Sequence, residues 1–66
     1  MKYAITNGTK WLSGGFNTEG IPSPVLTNQM AYRYEYDTYD IADDVITGLY
    51  QNGYPLLAET LRVIPL

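Results

Sequence analysis

Apolar and polar positions along this chain change period at Thr38, and the change predicts the central unit of the fold. In Tyr32, Arg33, Tyr34, Glu35, Tyr36 and Asp37, ring and charge alternate with period two. Three phenol rings therefore share one face of a half-buried strand and the charges share the other. From Thr38 the spacing is helical, with Ile41, Ala42, Val45, Ile46 and Leu49 on one side and Asp40, Asp43, Asp44, Thr47 and Gln51 on the other. A strand running straight into an amphipathic helix predicts a helix lying on a sheet. Asp37 is placed to cap that helix, with Asp40 three residues later as a weaker form of the capping box. The helix is expected from Thr38 to Gln51, stopped by Asn52 and Gly53 and barred from continuing by Pro55.

The rest of the chain supplies the other strands. Asn7 and Gly8 lie between Lys2 to Thr6 and Thr9 to Ser13, the strongest short-range signal for a hairpin. A two-residue turn sets Thr6 opposite Thr9, Ile5 opposite Lys10, Ala4 opposite Trp11 and Tyr3 opposite Leu12. Tyr3, Ile5 and Leu12 then form the core face, and Trp11 falls on the outer one. Gly14 to Met30 holds Gly14, Gly15, Gly20, Pro22 and Pro24, a density of breakers that predicts a long loop. Phe16, Ile21, Val25 and Leu26 are expected to dock parts of it on the body, and a packed connector is favoured over a dedicated binding loop. Glu59 to Ile64 reads as a last strand, ended by Pro65. The expected fold is a single α+β domain over residues 1–66. Its small antiparallel sheet comprises the N-terminal hairpin, the tyrosine-rich strand and the C-terminal strand, with one helix packed on a face.

Composition narrows the chemistry. A 66-residue chain buries only about 60% of its unfolded surface, so its stability is marginal. Without Cys or His it has neither disulfides nor the usual zinc ligands, which leaves aromatic packing and association. No signal peptide or membrane-spanning run is evident, and a Cys-free chain fits a reducing cytoplasm. The net charge of −3 and the scattering of Lys2, Lys10, Arg33 and Arg62 argue against direct binding to nucleic acid. Catalysis is not expected: nucleophilic triads lack a base, Cys nucleophiles are absent, and Asp40 with Asp44 sits on a convex face that cannot raise a carboxyl pKa. No cofactor is implied, and the acids match no metal-coordination loop.

The acids cluster instead. Glu35, Asp37, Asp40, Asp43 and Asp44 fall within ten residues. A solvated face favouring the positive helix N-terminus accounts for Asp37 and Asp40. It accounts poorly for Asp44, which repels Asp40 across one turn at a cost of about 0.2–0.5 kcal/mol. Seven tyrosines cannot all be buried, because each hydroxyl needs a partner. Tyr34 is expected in the core, whereas Tyr39 and Tyr50 flank Asp43 at the surface, as interface rings do. Glu35, Tyr39, Asp40, Asp43, Asp44 and Tyr50 are thus the candidate protein-binding residues.

The layout resembles the short accessory proteins of bacterial phages and prophages, anti-CRISPR and anti-restriction proteins among them. The resemblance rests on the opening stretch from Lys2 to Gly14 (KYAITNGTKWLSG), the tyrosine stretch from Ala31 to Thr38 (AYRYEYDT) and the helix start from Asp40 to Val45 (DIADDV). It implies a non-enzymatic inhibitor in the cytoplasm of a bacterial host, occupying a CRISPR or restriction nuclease with Asp40, Asp43 and Asp44 standing in for DNA phosphates. With a net charge of only −3, local occlusion is the expected form, not full mimicry. The alternative is a structural homodimer or assembly subunit that pairs through a sheet edge and exposed tyrosines. A pocket for a small ligand beside the long loop has no sequence signature.

Overall fold

The computed structural model describes residues 1–16 and 22–66. Four strands, β1 (Tyr3–Thr6), β2 (Trp11–Phe16), β3 (Pro22–Thr27) and β4 (Arg62–Pro65), form an antiparallel sheet in the order β3-β2-β1-β4. The long helix α1 (Tyr39–Gln51) packs against β1, β4 and a short second helix, α2 (Pro55–Thr60). The α+β class and the antiparallel sheet under a main helix are those expected. The membership of the sheet is not.

The third strand is β3, inside the stretch read as a loop, and the breakers there are accommodated in recognisable ways. Pro22 and Pro24 lie on an edge strand, the position in a sheet that tolerates proline. Register shifts on either side of Gly14 take up the glycines, and the Ser13 hydroxyl donates to the Val25 carbonyl (3.1 Å). Leu26 docks on the core as expected, whereas Val25 is exposed. The expected docking of Ile21 and of the Phe16 ring lies outside the described residues.

The tyrosine stretch is not a strand. It begins as a 3-10 turn at Met30–Tyr32 and then touches the sheet through backbone bonds at two points. The Tyr34 amide donates to the Leu12 carbonyl (3.0 Å), and Tyr36 exchanges two bonds with Tyr3 (2.8 and 2.9 Å). β1 and β2 are free to accept it because they pair only at Thr6 and Trp11. That register corrects the two-residue turn. The Asn7 side-chain carbonyl accepts from the amides of Thr9 (2.9 Å) and Lys10 (2.7 Å), and the Thr6 hydroxyl accepts from Gly8 (3.0 Å) and donates to the Lys10 carbonyl (2.7 Å). These side-chain bonds close a four-residue loop over Asn7 to Lys10, with Gly8 at φ +101°. The register moves by two positions, an even number, so each side chain keeps its face. Ile5 and Leu12 are fully buried as expected.

Thr38 caps α1, its hydroxyl accepting from the Ile41 amide (3.2 Å), while Asp37 points instead to the Lys2 ammonium. Ala42, Val45, Ile46 and Leu49 are buried and Ile41 is half exposed, so the apolar arc is turned towards Ile46 from the arc projected on the sequence. Its spacing of three, four and seven residues is the usual inward stripe. At the far end Gly53 takes φ +96° and the Tyr54 amide reaches back to the Leu49 carbonyl (2.9 Å), the expected stop. Pro55 does more than end α1: it opens α2 at a position where a missing N–H is harmless. α2 occupies the start of the predicted last strand, which therefore begins at Arg62 and not at Glu59. Ala58 and Leu61 join Ile5, Leu12, Tyr36 and the α1 stripe in one core.

The capping assignment has a direct test. Thr38→Ala is expected to cost about 1 kcal/mol, seen as a fall in Tm of about 4–8 °C by circular dichroism. Asp37→Ala removes an exposed ion pair and should cost less. The reverse order would return the cap to Asp37.

Candidate protein-binding face

The outer side of α1 carries the candidate site because the inner side is consumed by the core. Asp40, Asp43, Asp44, Thr47 and Gln51 are all exposed, and α1 contains no Lys or Arg. Among the described residues none of these three aspartates pairs with a cation within 4.0 Å; the two ion pairs formed there are Lys2 with Asp37 and Arg33 with Glu35. Glu35 is therefore set apart from the other candidates. Its carboxylate lies 3.4 Å from the Arg33 guanidinium, off the helix, and is already engaged. Asp37 is likewise engaged, and the hydrogen bond and charge of Lys2 hold its carboxyl below the usual carboxylate range. Both acids sit before α1, where the chain still has basic neighbours. The three helical aspartates do not.

Tyr39 and Tyr50 are exposed on the flank of α1 that also carries Asp43, as the helical projection implied. The fold adds a support for Tyr39 that the sequence does not reveal. Its ring meets the Tyr3 ring edge to face, with centroids 6.1 Å apart and planes at 84°. Of the three rings expected on one face, with Tyr34 in the core, Tyr36 alone is buried; Tyr32 and Tyr34 are exposed, and the Tyr34 and Tyr36 rings meet at a tilt of 51° with centroids 4.8 Å apart. Tyr36 goes inward because its backbone is the part bonded to Tyr3. Burial, and to a lesser degree neighbouring Tyr34, pushes its hydroxyl up to about 12.

Trp11, on the outer face of the sheet, is half-buried under the Arg33 guanidinium, which sits 5.1 Å from its ring centroid. The alternation of Arg33 and Glu35 placed both charges on one side of an extended stretch and was the available signal for their pairing; nothing in the pattern linked Arg33 to Trp11. Among the described residues there is no group of three or more His, Cys, Asp and Glu placed to hold a metal ion, and no helix long and apolar enough to cross a membrane.

Fold and site together define a small α+β domain presenting a convex, acidic, ring-flanked helix. Comparison with known proteins adds no relative: no family model, no curated protein and no solved structure matches the chain.

Proposed function

We propose that this chain is a non-enzymatic protein-binding module that presents the outer face of α1 to a basic surface of its partner. The observation that carries the reading is the contrast within one acidic stretch: Glu35 and Asp37 are neutralised by the chain's own cations, whereas Asp40, Asp43 and Asp44 are not. A helix selected for stability alone would place Lys within reach of Asp40 and Asp44. An unneutralised band steers a basic partner and pairs with it by charge-assisted hydrogen bonds. The resemblance to phage accessory proteins makes a nucleic-acid-targeting defence nuclease of a bacterial host the partner class of this proposal, with the aspartates occluding its phosphate-binding surface. Such a protein acts in the host cytoplasm and needs no cofactor.

Self-pairing through a sheet edge is the weaker reading, because both edges carry proline. On β4, the bond from the Leu66 amide to the Lys2 carbonyl (2.8 Å) sets the alternation so that the backbone groups of Val63 and Pro65 point away from β1 at the sheet edge. Pro65 has no N–H, which leaves Val63 as the outward donor of that strand; β3 holds Pro22 and Pro24.

The test compares the wild type with a variant carrying Asp40→Lys, Asp43→Lys and Asp44→Lys, which moves the net charge from −3 to +3. As bait in bacterial lysate, the wild type is expected to retain a nucleic-acid-targeting nuclease and release it as salt is raised, and the variant to retain none. Retention of the same protein by both baits, or capture of the chain's own copies alone, would overturn the proposal.

A further inference from the structure

We infer that the flank of α1 formed by Tyr39, Asp43 and Tyr50 receives arginine side chains of the partner in preference to lysine; the inference rests on the protein-binding reading above and names the chemistry of the partner's contact. The helix brings these three together. Asp43 lies one turn beyond Tyr39, about 6 Å along the axis, and Tyr50 about 10 Å further on, all on one side of α1 above buried Ile46. Tyr39 is 51% exposed and Tyr50 45%, so each ring offers surface to a visitor.

Tyr39 is also held in place. Its ring rests edge to face on Tyr3, and the Tyr3 backbone is bonded to Tyr36 on one side and paired with β4 on the other. A ring fixed before contact loses little freedom on binding. With no cation on α1 to occupy it, the carboxylate of Asp43 between the two rings favours a positive group.

A guanidinium suits this arrangement better than an ammonium. It is planar and weakly hydrated, so it can lie against a phenol ring while its N–H fork reaches a carboxylate; the lysine ammonium is a compact, strongly hydrated charge that gains less from the rings. The chain already makes the same combination internally, with Arg33 over the Trp11 ring at 5.1 Å and 3.4 Å from Glu35.

The test uses an arginine homopeptide and a lysine homopeptide of equal length, titrated into the intact protein by calorimetry. The arginine peptide is expected to bind about two- to fivefold more tightly. Tyr50→Leu, which alters an exposed ring outside the core, should bring the two affinities together, Tyr50→Phe should keep them apart, and Tyr39→Leu should act as Tyr50→Leu does. Equal affinities in the wild type, no binding of either peptide, or an arginine preference that survives both leucine substitutions would overturn the inference. Asp43→Asn separates the two readings. It should weaken both peptides alike if the acidic face binds cations, and two unweakened peptides would count against the acidic face itself.

Discussion

Leu49→Ala is expected to remove about 2–5 kcal/mol of stability, read as a lower midpoint in urea unfolding followed by helical circular dichroism. Leu49 is fully buried, as are Ile5 and Leu12, in the one core that α1 shares with the sheet and α2, so its truncation removes apolar contacts and leaves a cavity. A domain of this length has about 3–10 kcal/mol in total, so the loss takes a large share of it. Ile41→Ala provides the contrast. The sequence pattern sets Ile41 and Leu49 together at the centre of the apolar arc, but the fold leaves Ile41 half exposed. Its truncation should cost less than about 1 kcal/mol, since only part of its surface returns to water. Equal losses from the two substitutions would mean that α1 is rotated away from the orientation described, and the aspartate face with it.

The second large effect is expected in alkali. The Tyr36 hydroxyl has a folded-state pKa of about 12 against an ordinary 10.0, because burial disfavours the charged phenolate. Between these values the unfolded chain loses the proton while the folded chain keeps it, so the unfolded state binds fewer protons and stability falls as pH rises. The contribution is whole below pH 10 and gone above about 12. The full gap corresponds to about 2.7 kcal/mol, and solvent screening at the ring's edge brings it to about 1–2 kcal/mol. Urea midpoints measured from pH 9 to 12 should fall more steeply for the wild type than for Tyr36→Phe, which cannot ionise. Parallel curves would place the Tyr36 hydroxyl in water.

These tests bear on how far local pattern reaches in this chain. The existence of α1 and its C-terminal end were legible because helical spacing and the Asn52–Gly53 stop are local and agreed; its cap was not, since Lys2 draws Asp37 away and leaves the position to Thr38. The position of the first turn was legible from Asn7 and Gly8 for the same reason. Its register was not, since Thr6 and Asn7 use their side chains to complete the loop and lengthen it by two residues. Pro55 was readable as a barrier but not as the start of α2, because a proline at the first helical position and one after a helix look alike until the next turn is seen to pack. The glycine and proline content of residues 14–30 hid β2's end and β3 behind the statistics of loops. An edge strand with register shifts tolerates what a central strand does not.

The candidate site divides along the same line. That Asp40, Asp43 and Asp44 share one side of a helix, with Tyr39 and Tyr50 beside Asp43, is a property of the sequence alone, since a period of 3.6 residues is enough to put them there. Whether each acid is neutralised was only partly local: Arg33 lies two residues from Glu35, but Lys2 crosses thirty-five positions to reach Asp37. The choice between Tyr34 and Tyr36 as the buried ring was likewise made by the backbone bonds to Tyr3, and the support of Tyr39 by the ring of that same residue. Short-range periodicity determined which side chains travel together; only the meeting of β1, the tyrosine stretch and α1 decided which of them are covered, paired or left open, because burial and charge pairing are set by neighbours in space and not by neighbours in sequence.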